Sequence, residues 1–241
     1  MSVFHPRPRP APKSRYDPAP VKSAFIVFDG NEGCGKSTQI QLLHDHLHAT
    51  GVDVLMVRDP GTTRLGEAVR HILLDPSNTD MAMRCEMLLY MAARAQMMHE
   101  LILPALNAGR TVLSDRFVSS TLAYQLGGDG LTADEIRAVG DVAIGGHWPD
   151  LTLILDLPVE TSRGRVRAKF QKQTLFGTDS PVLTKDRIEE RPVEYHRQVR
   201  ENFLAQVKAD PGRYRLIDAS RSKDDVHADV TAAVAALGLG G

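Results

Sequence analysis

Cysteine is nearly absent: Cys34 and Cys85 are the only two in 241 residues. Two cysteines so far apart make neither a disulfide framework nor a metal-ligand pattern, and a reduced cytoplasmic protein is the expectation. An excess of charge of either sign is also missing. The formal net charge is −1, which excludes a global basic field for nucleic acid and an acidic tail. Any phosphate recognition must therefore come from local basic clusters. No apolar run approaches a membrane span, and the N-terminus lacks the apolar centre of a secretory signal. No internal repeat is visible.

What remains is an ordinary globular composition, 42% hydrophobic and 24% charged, in a chain long enough for one α/β domain with a buried core. Residues 1–22 differ from the rest. They are rich in proline with scattered Arg and Lys, bury little apolar surface, and are expected to form a disordered extension. The domain is expected over 23–241. Short apolar runs at Ala24–Asp29, Val52–Arg58, Thr111–Asp115, Leu151–Asp156 and Tyr214–Asp218 read as strands. Helical patterns follow each, including Leu65–Leu74, Met83–Leu106, Thr132–Ile144, Asp186–Lys208 and Lys223–Leu237. Glu160–Lys169 starts helical and is expected to break into a polar stretch, Phe170–Thr184. Strands alternating with helices imply a five-stranded parallel sheet covered on both faces.

Gly30-Asn31-Glu32-Gly33-Cys34-Gly35-Lys36-Ser37 has the spacing of a phosphate loop. It also has the right context, after an apolar strand and before a helix. Glycines let backbone N–H groups turn inward onto phosphate oxygens. The helix beginning near Lys36 adds the positive end of its dipole. Lys36 is then expected to reach the terminal phosphates, and the Ser37 hydroxyl to ligate Mg²⁺. Thr38 packs or caps the helix start.

A phosphate loop serves many nucleotide-binding proteins, so other residues must narrow the class. Asp115-Arg116 closes the third strand, on the sheet edge where open α/β folds bind ligands. Asp115 suits a Mg²⁺ water shell and Arg116 a bidentate phosphate clamp, although the pair also reads as an ordinary strand-end ion pair. Arg58, in Arg58-Asp59-Pro60-Gly61-Thr62-Thr63, ends the second strand on the same edge. Tyr90 and Arg94 are four apart and share a helix face, as a stacked base with a charged partner would need. Arg163, Arg165, Arg167 and Lys169 read either as a solvated helix face or as a lid, over about 165–185, carrying positive charge onto a transferring phosphoryl group. His44, His46 and His48 alternate along a helix and do not all share one face, so they read as solvated.

Taken in order, these motifs resemble the thymidylate kinase family from about Ser23 to about Leu237. The phosphate loop, the Arg-Asp-Pro-Gly loop, the Ala-Ala-Arg helix and the Asp-Arg strand end are counterparts of the family's motifs, in its order and at similar separations. So do Asp186-Arg187-Ile188-Glu189 and Ile217-Asp218-Ala219. The resemblance implies a P-loop NTPase-type three-layer sandwich and transfer of the γ-phosphoryl group of ATP, with Mg²⁺, to dTMP. It implies that Arg58 and Arg116 hold the acceptor phosphate and that Tyr90 stacks on thymine. Arg94, Thr121 and Gln125 would read the base or its surroundings. Tyr124 would screen the sugar, and Glu32 would meet its 3′-hydroxyl. Gly30, Asn31, Gly33, Cys34 and Gly35 would cradle ATP with Lys36, Ser37 and Thr38. Ala219 and Ser220 would line the adenine pocket. The loop carries no Arg, so the catalytic arginine is expected in the lid, with Arg165 and Arg167 as candidates beside Lys36 and Arg116. A cytoplasmic homodimer is implied, with Met83–Leu106 a candidate for its surface. The chain departs from the family's usual residues at Asp59, Thr62, Tyr90 and Phe117. A deoxynucleoside kinase, which needs a base such as Glu32 or Glu67, stays open as an alternative, as does a non-catalytic nucleotide-binding module.

Overall fold

Phe25–Asp29 (β1) reads Phe-Ile-Val-Phe-Asp, apolar on both faces until its last residue, and all five residues are buried. Such a run suits a central strand of a parallel sheet, covered above and below. In the computed structural model, which describes residues 23–175 and 187–239, β1 lies between Thr111–Asp115 (β3) and Leu151–Asp156 (β4). Val54–Arg58 (β2) and Tyr214–Asp218 (β5) form the two edges. The order is β2-β3-β1-β4-β5, and every pair is parallel. The expected five-stranded sheet is therefore observed. The N-terminal extension expected over 1–22, the part of the expected lid from 176 to 185, and residue 186 lie outside the described residues.

Among the described residues, nine α-helices connect the strands: α1 Lys36–Ala49, α2 Arg64–Leu74, α3 Met83–Met97, α4 Leu103–Asn107, α5 Val118–Tyr124, α6 Ala133–Ile144, α7 Val159–Leu175, α8 Val193–Ala209 and α9 Lys223–Ala235. Alternation along β1 assigns the layers. Ile26 and Phe28 pack with Ile40, Leu43 and Leu47 of α1 and Val226 and Val230 of α9. Phe25 and Val27 point the other way, into Met87, Met91, Val118 and Ile136 of α3, α5 and α6. This is the three-layer sandwich that the sequence predicts.

Three boundaries differ from expectation. The helix predicted to begin at Asp186 begins at Val193, because Pro192 lacks an N–H and disfavours helical backbone in the residue before it. The break expected at Phe170 is absent, and α7 runs to Leu175, since no Gly or Pro occurs between Phe170 and Gly177. Met83–Leu106 is interrupted by a π turn over Met98–Ile102, where the Leu103 N–H bonds to the Met98 carbonyl. Pro104, which has no N–H to continue the ladder, follows directly.

Register aligns the carboxyl ends of the three strands that carry the chemistry. Arg58 on β2 and Phe28 on β1 both pair with Asp115 on β3. The end of each strand thus delivers its polar residue to one sheet edge.

Candidate active site

The phosphate loop leaves β1 through Gly30, whose φ of 130° lies in the region open to glycine. A Cβ there would sit 2.4 Å from the Leu155 carbonyl, so the loop lies too close to β4 for a side chain. Gly35, at φ 101°, precedes α1, and no side chain among the described residues caps that helix. Its first-turn N–H groups are thus available to an anion. Lys36 is buried, and its ammonium donates to the carbonyls of Gly30 (3.1 Å) and Asn31 (2.9 Å). Cys34 is buried with the apolar cluster beneath α1, while Thr38 is exposed.

Ser37 Oγ donates to Asp115 Oδ2 at 3.4 Å, and Asp115 Oδ1 is buried with no hydrogen-bond partner among the described residues. A hydroxyl beside an unsatisfied carboxylate oxygen is a hard-oxygen donor set of the kind Mg²⁺ takes.

Arg116 has φ 71°, a left-handed conformation uncommon outside glycine. Its strain is held by contacts from several elements. Nη1 donates to Asp29 Oδ1 (3.3 Å), Ser120 Oγ (3.1 Å) and the Gly30 carbonyl (3.2 Å), and the guanidinium lies 5.2 Å from the centre of the Tyr124 ring. Burial works against its charge, but Tyr124, Asp29 and Asp115 outweigh that and hold its pKa well above the ordinary value. Asp29 is fully buried and accepts from Ser119 and Ser120 at 2.7 Å each and from the Gly30 N–H at 3.0 Å.

Beside Arg116 opens a cleft that brings together Glu32, Tyr90, Arg94, Thr121, Tyr124 and Gln125, residues from the phosphate loop, α3 and the α5 segment. Arg94 is 1% exposed. It donates through Nε to Asp59 at 2.7 Å and through Nη2 to the Phe117 carbonyl at 3.0 Å, with Thr121 Oγ1 at 3.4 Å. Burial pushes the Asp59 carboxyl up, and Arg94 opposes it. Arg58, in contrast, lies outside the cleft lining. Its guanidinium is half-exposed and bound to Glu67 at 2.8 Å. Arg70 of α2 lines the cleft instead, donating to the Pro60 carbonyl at 3.1 Å.

A second cleft adjoins the phosphate loop at Asn31 and Glu32 and is lined by Arg163 and Arg167. These two are four apart on α7 and share a face. Arg165 is two positions away and turns elsewhere, donating to the Ala219 carbonyl at 3.2 Å. Ser220 folds back onto Asp218, through its hydroxyl at 2.6 Å and its N–H at 3.0 Å.

Sequence reasoning does not single out Asp29, Arg70 or His196. Asp29 carries a signal, as a lone carboxylate ending an otherwise apolar strand. Arg70 and His196 carry none, since each is one polar residue among several on its helix. His196 borders both clefts. Burial pushes its imidazole below the ordinary value, and Arg163 adds to the effect.

A phosphate loop at the end of the central strand, flanked by arginines on a five-stranded parallel sheet, defines a P-loop NTPase-type fold. A family model described as thymidylate kinase matches residues 28–230. A thymidylate kinase of Nitratidesulfovibrio vulgaris is 42% identical over 210 residues, covering 87% of this chain and 95% of its own. One from Pelotomaculum thermopropionicum is 43% identical over 210 residues, covering 87% and 92%. The crystal structure of thymidylate kinase from Ehrlichia chaffeensis superposes with a TM-score of 0.67 at 29% identity, over 88% of this chain and 99% of that one. The chain belongs to the thymidylate kinase family.

Proposed function

We infer that this protein transfers the γ-phosphoryl group of ATP to dTMP, giving dTDP and ADP. The observation that carries the reading is the meeting of two features at one sheet edge: a phosphate loop with buried Lys36, and a separate cleft where Arg116 stands beside Tyr90, Thr121 and Gln125. The acceptor phosphate is already anionic, so the reaction needs positioning and charge neutralisation rather than a strong base. Of the two carboxylates that a hydroxyl-phosphorylating alternative would use, Glu67 is engaged by Arg58 and by the Thr62 N–H, while Glu32 lines the cleft and meets the sugar in this reading.

In this reading residues 30–37 cradle the ATP phosphates and Lys36 exchanges its loop carbonyls for phosphate oxygens. Ser37 and Asp115 hold Mg²⁺, which supplies charge neutralisation across the phosphates when bound. Arg116 takes the acceptor phosphate, with Arg70 alongside it in the place expected for Arg58. Arg163 and Arg167 face the phosphate loop from α7, which supports a lid source of the catalytic arginine. Arg165 braces the Ala219 loop that borders the nucleotide. Tyr90 stacks on the base, Thr121 and Gln125 read its edge, and Tyr124 and Glu32 meet the sugar. The kinase domain is proposed to span 23–241. A homodimer is supported by exposed Leu65 and Ile72 on α2 and Leu88 on α3, two helices packed together. A cytoplasmic location fits the scarcity of cysteine. Among the described residues no helix is long and apolar enough to cross a membrane.

A coupled ADP-release assay with ATP–Mg²⁺ tests the reading, offering dTMP, dUMP, dCMP, dGMP and thymidine separately. Turnover with dTMP well above the others is expected. Turnover with thymidine and none with dTMP would replace the monophosphate acceptor with a sugar hydroxyl.

A further inference from the structure

Glu86 on α3 is fully buried and lies outside both clefts. Burying a carboxylate is costly unless it is fully paired, and this one is paired on both oxygens. Oε1 accepts from Gln125 Nε2 at 2.7 Å. Oε2 accepts from Arg191 Nη2 at 2.6 Å and from Arg187. The two arginines bracket Ile188 and Glu189, which line the same cleft as Gln125. Arg187 is anchored further by donating to the Leu73 carbonyl at 3.2 Å. Arg191 lies 4.5 Å from the centre of the Tyr195 ring, and the Tyr195 hydroxyl donates to the Tyr124 carbonyl at 2.6 Å.

An ionised carboxylate only accepts hydrogen bonds, so the Gln125 amide must turn its NH₂ toward Glu86. The other end of that amide is Oε1, an acceptor, and Gln125 lines the cleft. Thymine and uracil carry a donor at N3, whereas cytosine carries an acceptor there. A fixed amide oxygen therefore favours the first two and repels the third, which a freely flipping amide would not do.

We propose that Glu86 is a positioning residue for base selection: it fixes the Gln125 amide with its oxygen toward the base and latches residues 187–191 as a wall of the acceptor cleft. This rests on the cleft being the dTMP site. It gives Glu86 a role in specificity that its position behind the cleft lining conceals.

The test is steady-state kinetics of wild type and Glu86→Gln with dTMP, dUMP and dCMP, together with the thermal midpoint. Losing the fixed acceptor should cut the dTMP-over-dCMP ratio in kcat/KM by at least about tenfold, since unpaired polar groups in a reading site govern such ratios. The KM for dTMP should rise by about tenfold or more, with the KM for ATP changed less than about twofold. Discrimination between dTMP and dUMP, which share N3–H, should stay within about threefold of wild type. Glu86→Asp keeps the charge but withdraws it by one methylene, and should move the same ratio in the same direction if the Gln variant fails to fold. A lowered midpoint with an unchanged dTMP-over-dCMP ratio in whichever variant folds would overturn the proposal and leave Glu86 a structural brace. Wild type that turns over no dTMP would remove the proposed function itself, and this inference with it.

Discussion

Asp29 and Arg116 meet across 87 residues of sequence, with Oδ1 of the buried carboxylate 3.3 Å from Nη1 of the guanidinium. The contact joins the end of β1 to the end of β3, neighbouring strands of the sheet. It fixes an arginine whose backbone is itself in the left-handed region, and which lines the cleft shared with Tyr90 and Thr121. Ser119 and Ser120 complete the shell around Asp29.

Asp29→Asn keeps the shape and removes the charge. A hydrogen bond to a charged group contributes about 1.5–3 kcal/mol. Turnover per encounter, kcat/KM for dTMP, should therefore fall about tenfold to a hundredfold. Steady-state kinetics check this, and circular dichroism should show an intact fold. Unchanged kcat/KM would mean that the other Arg116 contacts suffice.

Arg94→Met leaves Asp59 without its partner inside the protein, where both side chains are 1% exposed. Breaking a buried pair this way costs about 3–5 kcal/mol, to be read from urea unfolding at neutral pH. The sign with pH follows from Asp59. Burial already pushes its carboxyl up, and removing Arg94 pushes it further, so the folded variant takes up a proton more readily than the unfolded chain. Its deficit should shrink as pH falls and grow as pH rises.

Arg167→Ala should lower kcat by at least about a hundredfold, because an arginine on the transferring phosphoryl group is worth about 10³–10⁵ in related reactions. Arg165→Ala should change kcat by less than about threefold, since that side chain faces the Ala219 carbonyl. Single-turnover measurements separate the two. A change confined to KM for Arg167→Ala would make it a binding residue and move the catalytic role to Arg163.

His196 gives a stability slope. Burial and Arg163 hold its imidazole below the ordinary 6.5, with Glu32 acting the other way. The unfolded chain then binds the proton more tightly than the folded protein. The contribution is intact above 6.5 and is lost as pH drops from 6.5 through the folded value. His196→Asn should flatten the stability profile between about pH 7 and pH 5, measured by urea unfolding at each pH. An unchanged slope would place the titration elsewhere.

Much of the fold and part of the site are legible in the sequence. The phosphate loop is a contiguous pattern, and strands that are apolar on both faces announce a covered parallel sheet. Tyr90 with Arg94, and Thr121 with Gln125, lie four apart and share a helix face by geometry alone. Other expectations depend on what lies opposite. Arg58 ends a strand at the right edge, yet it pairs with Glu67, and Arg70 stands in the cleft. Arg165 and Arg167 look equivalent in a basic run, but α7 turns them to different faces.

By itself the sequence determined what is local: the strand–loop–helix that holds phosphate, the five strands, and the order of motifs that marks the family. Those features depend on φ preferences, side-chain period and spacings of a few residues. Tertiary structure alone decided which charges meet. Asp29 with Arg116, Asp59 with Arg94, and Glu86 with Gln125 and Arg191 span 87, 35, 39 and 105 residues. At such separations no backbone periodicity relates the partners. They come together because each buried carboxylate needs donors, and the packed layers bring those arginines, serines and amides within reach.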